Sequence, residues 1–212
     1  MANIAFYTNP MSRGQIARWA LEEAGAPYDQ HLVGYGEAMK GPDYLAINPM
    51  GKVPAIVHNG AVITECAAIC AYLADAFPDA DLSPHADERA AYYRWLFFAA
   101  GPVEQAVVSR SMGWSVEDPQ KQGMLGFGNF DLTIDTLAAH FAANAYVCGD
   151  RFTMADVYVG SQVLWGLDFG SIPSRIALAA YAERLRSRPA SVKAKGIDAA
   201  LIAEQQAQPS EG

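Results

Sequence analysis

The sequence predicts two domains, an α/β domain with the order βαβ-ββα followed by an all-helical domain. In residues 1–78, short apolar runs typical of strands alternate with helical patterns, and beyond residue 88 the strand-like runs disappear. Between these regions the chain is rich in proline and acidic residues, which is typical of a connecting segment. We therefore expect an α/β domain over 1–78, a linker over 79–87 and a helical domain over 88–212.

The first domain begins with a strand, a helix and a second strand. Ile4–Tyr7 is a short apolar run, and Tyr28–Val33 is a second run of the strand type. Between them, apolar residues recur at helical spacing from Ile16 to Ala24, and Gly25 is a suitable helix end. This order forms a βαβ unit, in which the two strands pair in parallel.

A β-hairpin and a helix complete this domain. Val53–Val57 predicts the third strand and Val62-Ile63 a brief fourth strand, joined by a turn at Asn59-Gly60. Before them, residues 34–52 are rich in glycine, proline and polar groups, with at most a short helical turn around Tyr44. The helix after the hairpin presents apolar side chains on one face.

Helical patterns fill the second domain. They cover about 87–112, with a large aromatic content, then 129–143, a segment that starts at Thr153, and 175–187. Thr153 and Asp156 form a capping-box pair that we interpret as structural. The three glycines of GMLGFG (123–128) make a poor helix interior, so we expect a helix start or an irregular turn there. The tail AEQQAQPSEG (203–212) is expected to be frayed.

Composition and charge exclude several classes of function. The formal net charge is -8, with no basic tail or stripe, so the chain would repel a nucleic acid backbone. The start, MANIAFYTNP, lacks a signal-peptide pattern, and no uncharged apolar run reaches the roughly 18–20 residues that span a bilayer. Three cysteines fit no disulfide framework and no metal cluster. We expect a cytoplasmic protein without metal, nucleic acid or membrane.

The segment NPMGKVPAIV (48–57) carries the most information about function. A proline just inside a strand is unusual, because proline has no N–H to donate to the sheet ladder. Taken alone, Pro54 fits an edge strand that begins with a proline. It also fits a cis-proline that leaves the preceding backbone unpaired and available to a ligand.

About ten residues later, ITECAAICAYLADAFP (63–78) opens a helix at Glu65 and Cys66. The first N–H groups of a helix have no intrahelical partner and the helix dipole is positive there, so a ligand carboxylate would be stabilised. As a structural alternative, Thr64 or Glu65 is an ordinary N-terminal cap.

Together these segments resemble the glutathione S-transferase superfamily over nearly the whole chain. The resemblance rests on YTNPMSRGQIARWALEEAG (7–25), NPMGKVPAI (48–56), ITECAAICAYL (63–73) and YVCGDRFTMADVYVGSQVLW (146–165). The last three are specific in order and spacing, and the first is looser. The resemblance implies a thioredoxin-like first domain, a helical second domain, glutathione as co-substrate, and a homodimer that acts in detoxification.

By this resemblance, five residues form the glutathione site. Pro54 would be the cis-proline, and the backbone of Val53 would pair with the cysteinyl part of glutathione like an added strand. Glu65 would accept the γ-glutamyl amino group, and position 66 would hold the carboxylate through its backbone N–H and side chain. Lys52 either approaches the glycyl carboxylate or is a solvated charge. The family usually has serine where Cys66 stands, and a thiol is a weaker donor, so we expect weakened rather than lost binding.

Two hydroxyl groups compete for the glutathione thiol. Ser12 lies where serine-type and cysteine-type members of the family place their thiol-contacting residue, and Tyr7 lies at the end of the first strand, as in tyrosine-type members. As structural alternatives, Ser12 is a helix cap and Tyr7 a core aromatic residue. The turn TNPMSRG resembles the serine-type turn more closely, so we favour Ser12 over Tyr7.

The long helix of the second domain is expected to line a pocket for the electrophile, which the resemblance puts between the domains. The candidate residues are Trp95, Phe98, Arg110 and Trp114, although aromatic residues at helical spacing are also typical of a core. The resemblance predicts a glutathione transferase, which stabilises the glutathione thiolate and transfers it to a hydrophobic electrophile. The alternatives are a glutathione-binding or regulatory protein without transferase activity, and a glutathione-dependent isomerase or reductase.

Overall fold

The structure, a computed structural model, describes residues 3–207. Its strands are Ile4–Thr8 (β1), Tyr28–Leu32 (β2), Ala55–His58 (β3) and Ala61–Thr64 (β4). Its helices are Gly14–Glu23 (α1), Glu37–Lys40 (α2), Pro42–Leu45 (α3), Cys66–Ala76 (α4), Arg89–Phe98 (α5), Glu104–Ser111 (α6), Pro119–Gln122 (α7), Phe130–Ala143 (α8), Met154–Asp168 (α9), Ile176–Arg186 (α10) and Pro189–Ala207 (α11). None of these helices is long and apolar enough to span a membrane.

The strands form one mixed sheet in the order β2-β1-β3-β4. β1 and β2 are parallel, with Ile4 opposite Tyr28, and β3 is antiparallel to both β1 and β4. The predicted βαβ unit and hairpin are therefore confirmed. β3 begins at Ala55 rather than at Val53, because Pro54 has no N–H to donate to the ladder.

The chain folds as two compact units. The first comprises residues 3–81 and 187–207 of the described chain, and the second comprises 82–186. This grouping differs from the predicted boundaries, which assigned all of 88–212 to the helical domain. The difference arises because α11 packs on α1 and so joins the first unit.

Helix α11 is held to α1 by ion pairs that include a buried one. The guanidinium Nε of Arg18, which is fully buried, donates to a carboxylate oxygen of Asp198 at 2.9 Å. Arg188 makes two further bonds of 2.7 Å with the carboxylate of Glu23. Such long-range pairs are invisible to a search for local patterns, and the sequence predicted no helix between residue 187 and the tail at 203–212.

Two predicted helical regions differ in the structure. The long helix expected over 87–112 is interrupted at Ala99–Val103, which forms a π-helical turn that contains Pro102. Proline removes one intrahelical donor, and a wider turn accommodates its ring. The tail expected to be frayed over 203–212 is helical as far as Ala207, and its last five residues lie outside the described part.

Helix α9 begins with the predicted capping box. The carboxylate of Asp156 accepts hydrogen bonds from the backbone N–H of Thr153 at 2.9 Å, from the N–H of Val147 at 2.8 Å and from the hydroxyl of Tyr181 at 2.9 Å. Burial raises the pKa of Asp156 to about 6, and these hydrogen bonds oppose the rise. All of its partners lie in the packed interior, which confirms the structural interpretation of this pair.

Candidate active site

One residue in the loop before β3 has open backbone groups. The peptide bond between Val53 and Pro54 is cis, as expected, and the ladder starts only at Ala55. Within residues 3–207, neither the N–H nor the C=O of Val53 has a hydrogen-bond partner, and the residue is half-buried. An extended ligand can therefore pair with Val53 as an added strand would.

Helix α4 begins at a residue with strained backbone. Glu65 has a φ of 65° and a ψ of 119°, outside the regions that non-glycine residues normally adopt. Strain of this kind costs about 1–3 kcal/mol and clusters at functional sites. The Glu65 side chain is exposed and makes no hydrogen bond that caps the helix, so the ordinary-cap alternative is wrong for this residue.

Cys66 connects the start of α4 to the turn that precedes α1. Its thiol lies 3.5 Å from the backbone oxygen of Arg13, in a position to donate to it, and the residue is buried. The N-terminal ends of α1 and α4 therefore meet at this point. Because both ends carry partial positive charge, the region between them favours an anionic ligand group.

The hydroxyl of Ser12 already has two hydrogen bonds. It donates to the backbone oxygen of Asn9 at 2.7 Å and accepts from the N–H of Gly14 at 2.9 Å. This arrangement matches the structural alternative, in which Ser12 stabilises the turn before α1. To contact a thiolate, the Ser12 proton would have to leave the carbonyl of Asn9.

Tyr7 differs from Ser12 in this respect. Its ring stacks on His31, with 4.8 Å between ring centroids, and packs with Val53 against a buried cluster that contains Tyr44. Within the described chain, the Tyr7 hydroxyl forms no hydrogen bond. The proton of Ser12 is therefore engaged by a carbonyl, whereas that of Tyr7 is not.

Comparisons with known proteins show which proteins this chain resembles. Residues 11–76 match the family model described as "Glutathione S-transferase, N-terminal domain". Glutathione S-transferase 3 of Zea mays is 29% identical over an alignment that covers 91% of this chain and 93% of that protein. The structure of a glutathione S-transferase from Xylella fastidiosa has a TM-score of 0.76 at 26% identity and covers 93% of this chain and 99% of that one. These comparisons confirm the predicted resemblance of the chain to the glutathione S-transferase superfamily.

A second solved relative contains bound glutathione. The theta class glutathione S-transferase from Xanthomonas axonopodis pv. citri was solved with glutathione bound and is 27% identical, with a TM-score of 0.69, over 92% of this chain and 97% of that one. The predicted fold class, a thioredoxin-like domain followed by helices, is confirmed.

Two buried side chains, those of Tyr44 and Asn48, hold the loop before β3, and the sequence analysis gave neither of them a role. The backbone oxygen of Lys52 accepts two hydrogen bonds of 2.7 Å, from the hydroxyl of Tyr44 and from the side-chain amide of Asn48. The exposed side chain of Lys52 itself makes no polar contact within residues 3–207. From the sequence, the Tyr44 region gave only a short helical turn, because a backbone oxygen leaves no pattern in a sequence.

The second unit contains a cavity of about 540 Å³. Two of the predicted pocket residues line it, Arg110 and Trp114, and the Arg110 guanidinium lies 4.2 Å from the ring centroid of Phe130. Trp95 and Phe98 are not part of the lining. Their rings contact each other edge to face, and Trp95 is only 4% exposed, which is the core position expected of most aromatic residues.

Burial disfavours the thiolate form of the other two cysteines, Cys70 and Cys148. Cys70 is fully buried, and burial raises the pKa of its thiol well above the ordinary value. Burial also raises the pKa of Cys148 to about 11. Since the thiolate is the nucleophilic form, neither side chain is a candidate nucleophile at neutral pH. In the part of the chain that the structure describes, no cluster of three His, Cys, Asp or Glu side chains is arranged to hold a metal ion.

Proposed function

We propose that the protein is a glutathione transferase. It binds glutathione in the first unit, stabilises the thiolate and delivers it to an electrophilic carbon of a small hydrophobic molecule. A lone pair of the thiolate sulfur forms the new carbon–sulfur bond. In a substitution, the leaving group departs with the electron pair of the bond that breaks. In an addition, the π electrons of an activated double bond move to the neighbouring atom, which then takes up a proton. The glutathione-bound relative from Xanthomonas axonopodis pv. citri supports this choice of co-substrate.

The open backbone of Val53 is the observation that carries this proposal. A peptide needs both a donor and an acceptor to add to a chain as a strand does, and Val53 provides the two on one residue. The cysteinyl part of glutathione would pair there. Its N–H and C=O would then satisfy groups that have no partner within residues 3–207.

The γ-glutamyl end would lie at the start of α4. The exposed carboxylate of Glu65 would accept its amino group, while the first N–H groups of the helix, with Cys66, would hold its carboxylate. A charge-assisted hydrogen bond of this kind contributes about 1.5–3 kcal/mol. Lys52, whose side chain is exposed, would approach the glycyl carboxylate.

Thiolate stabilisation would come from the turn before α1. A thiol with a pKa near 8.5 is only about 3% ionised at pH 7, and lowering that pKa by two units corresponds to about 2.7 kcal/mol. We assign the donor to Ser12, whose proton would move from the carbonyl of Asn9 to the thiolate, since hydrogen bonds to an anion are stronger. Tyr7 is the second candidate, with its hydroxyl already available.

The electrophile would bind in the cavity of the second unit. Its volume of about 540 Å³ suits a small organic molecule, and its lining combines Trp114 with the cationic side chain of Arg110. No carboxylate lies within ion-pair distance of Arg110 in the described chain, so its charge remains available to an anionic or electron-rich substituent of the ligand.

We also propose a cytoplasmic homodimer with a role in detoxification. Each unit exposes large apolar side chains that a second copy would cover, namely Met50 at 63% exposure in the first unit and Phe97 at 67% in the second. Sedimentation should give about twice the chain mass if this is correct, and the monomer mass would contradict it.

Two measurements test the enzymatic proposal. Titration calorimetry should detect glutathione binding to the wild-type protein, and Glu65→Gln should raise Kd by at least about tenfold through loss of a charge-assisted bond. Asp79→Asn, at an exposed carboxylate in the same unit, is the matched control and should leave Kd unchanged. In the second measurement, the wild-type protein should catalyse the conjugation of glutathione with 1-chloro-2,4-dinitrobenzene.

Binding without turnover of any electrophile would instead favour a glutathione-binding protein without transferase activity. The existing hydrogen bond from Ser12 to Asn9 favours this second function, because it occupies the proton that the proposed Ser12 mechanism needs. Absence of glutathione binding would exclude both functions.

A further inference from the structure

Three consecutive carbonyl groups in the loop before β3 are held by side chains. The ammonium group of Lys40 donates to the oxygens of Met50 at 3.1 Å and Gly51 at 2.7 Å. The next oxygen, that of Lys52, accepts the two bonds of 2.7 Å from Tyr44 and Asn48. The series ends there, immediately before Val53.

The last of these carbonyls shares a peptide plane with the N–H of Val53. The bond between Lys52 and Val53 is not among the cis bonds of the described chain, so its oxygen and its N–H point in opposite directions within one plane. Two donors that pull on the oxygen from one side therefore aim the N–H toward the other. The direction of the open donor is set by Tyr44 and Asn48, although neither touches it.

Both donors are built rigidly into the first unit. Tyr44 is 5% exposed and Asn48 is 4% exposed, and the amide oxygen of Asn48 accepts the N–H of Met50 at 3.1 Å. Burial raises the pKa of Tyr44 to about 12, so its hydroxyl keeps its proton throughout the physiological range. The Tyr44 ring also packs in the cluster against which Val53 lies.

We infer that Tyr44 and Asn48 are positioning residues for glutathione. By fixing the Lys52 carbonyl, they hold the N–H of Val53 in the orientation that the cysteinyl backbone requires, so that this ordering is complete before the ligand arrives. The inference rests on the proposed function, because it assumes that glutathione pairs with Val53. Neither residue would touch the ligand, and neither would affect ionisation of its thiol.

A purely structural role for Tyr44 makes a different prediction. If its hydroxyl only stabilised the loop, its loss would lower the unfolding temperature and leave the affinity of the folded protein unchanged. A positioning role instead raises KM for glutathione, while kcat, the KM for the electrophile and the pKa of the bound thiol stay constant. The split between these constants separates the two roles.

The test uses Tyr44→Phe, which removes one hydroxyl and keeps the buried ring. We expect Kd and KM for glutathione to rise about three- to tenfold, the amount that one hydrogen bond provides. Tyr72→Phe is the matched control, since that hydroxyl also makes a hydrogen bond within the first unit, 2.9 Å from the ring Nδ1 of His58. Its KM should be unchanged at a similar loss of unfolding temperature.

Asn48→Asp provides a second variant if Tyr44→Phe folds poorly. It keeps the acceptor for Met50 and replaces the donor to Lys52 by a carboxylate oxygen that repels the Lys52 carbonyl, so a rise in KM for glutathione at least as large is expected. An unchanged KM in the folded variants, or an equal rise in Tyr72→Phe, would overturn the inference. If the wild-type protein binds no glutathione, the proposed function itself is refuted. If wild type and Tyr44→Phe bind glutathione equally well, only the positioning role is refuted.

Discussion

Replacement of Asp156 by alanine offers a quantitative test of the capping box in the second unit. The carboxylate accepts from four donors, the N–H groups of Thr153 and Val147 and the hydroxyls of Thr153 and Tyr181. Thr153, Val147 and Tyr181 are each 0% exposed, so water cannot replace the lost acceptor. The Thr153 hydroxyl can turn to the Sγ of Cys148 at 3.8 Å, whereas the two N–H groups would be left unsatisfied and the Tyr181 hydroxyl would keep only a long contact of 3.5 Å to the backbone oxygen of residue 156.

The expected loss follows from two opposing contributions. Each buried donor without an acceptor costs about 1–3 kcal/mol, which gives about 3–9 kcal/mol for the two N–H groups and the Tyr181 hydroxyl. Removal of the carboxylate also relieves its desolvation, which raises the pKa of Asp156 to about 6 against the lowering by its hydrogen bonds. Because this relief offsets part of the cost, we expect Asp156→Ala to lower the free energy of unfolding by about 3 kcal/mol, the lower end of that range.

The assays are urea denaturation and thermal unfolding at neutral pH, both monitored by far-ultraviolet circular dichroism. Urea denaturation gives the loss in free energy of unfolding, and a loss of about 3 kcal/mol should lower Tm by about 6–12 °C in a protein of this size. Asp118→Ala is the control, because the side chain of Asp118 also accepts from an N-terminal N–H, that of Gln120 at 2.9 Å, but in an exposed position. It should cost about 1 kcal/mol or less. Equal losses for the two variants would refute the reasoning.

Further predictions concern ionisation and packing. Ser12→Ala should raise the pKa of bound glutathione with little effect on its affinity, measured by ultraviolet titration of the thiolate, and an unchanged pKa would transfer the role to Tyr7. The bidentate contact of Glu88 with Arg151 lowers the pKa of Glu88, so its contribution to stability is present at neutral pH and is lost as pH falls below about 4.5. Denaturation curves of Glu88→Gln should therefore depend less on pH between about 5 and 3 than those of the wild type, and parallel curves would count against this pair. Gly14→Ala should lower Tm, because the added Cβ would lie 2.0 Å from the hydroxyl oxygen of Thr8. An unchanged Tm would show that the site tolerates the methyl group.

Much of the fold was predictable because its signals are local. The apolar run at Ile4, the glycine after the first helix and the turn at Asn59-Gly60 each act within a few residues, and the corresponding elements are present. Helix α11 was missed because it has a weak apolar face. Its buried residues over 189–207 are Ala194 and Asp198. Its attachment depends on Arg18, which lies 180 positions away in the sequence.

The candidate site was predictable only in part, for a related reason. The cis bond at Pro54 and the helix start beside Glu65 follow from short motifs that are visible in the sequence. The proposed roles of Val53 and Glu65 toward glutathione come from the family resemblance. The contribution of Tyr44 and Asn48 was not visible, because their target is the backbone oxygen of Lys52, which every residue type possesses. Engagement of the Ser12 hydroxyl by a backbone carbonyl was hidden in the same way.

A crystal structure of the protein with glutathione tests the central claim most directly. The account predicts that the N–H and C=O of Val53 each lie within about 3.2 Å of the cysteinyl backbone of the ligand, while the Lys52 oxygen keeps its bonds to Tyr44 and Asn48. Glutathione bound elsewhere, or a Val53 backbone that remains unpaired in the complex, would contradict it.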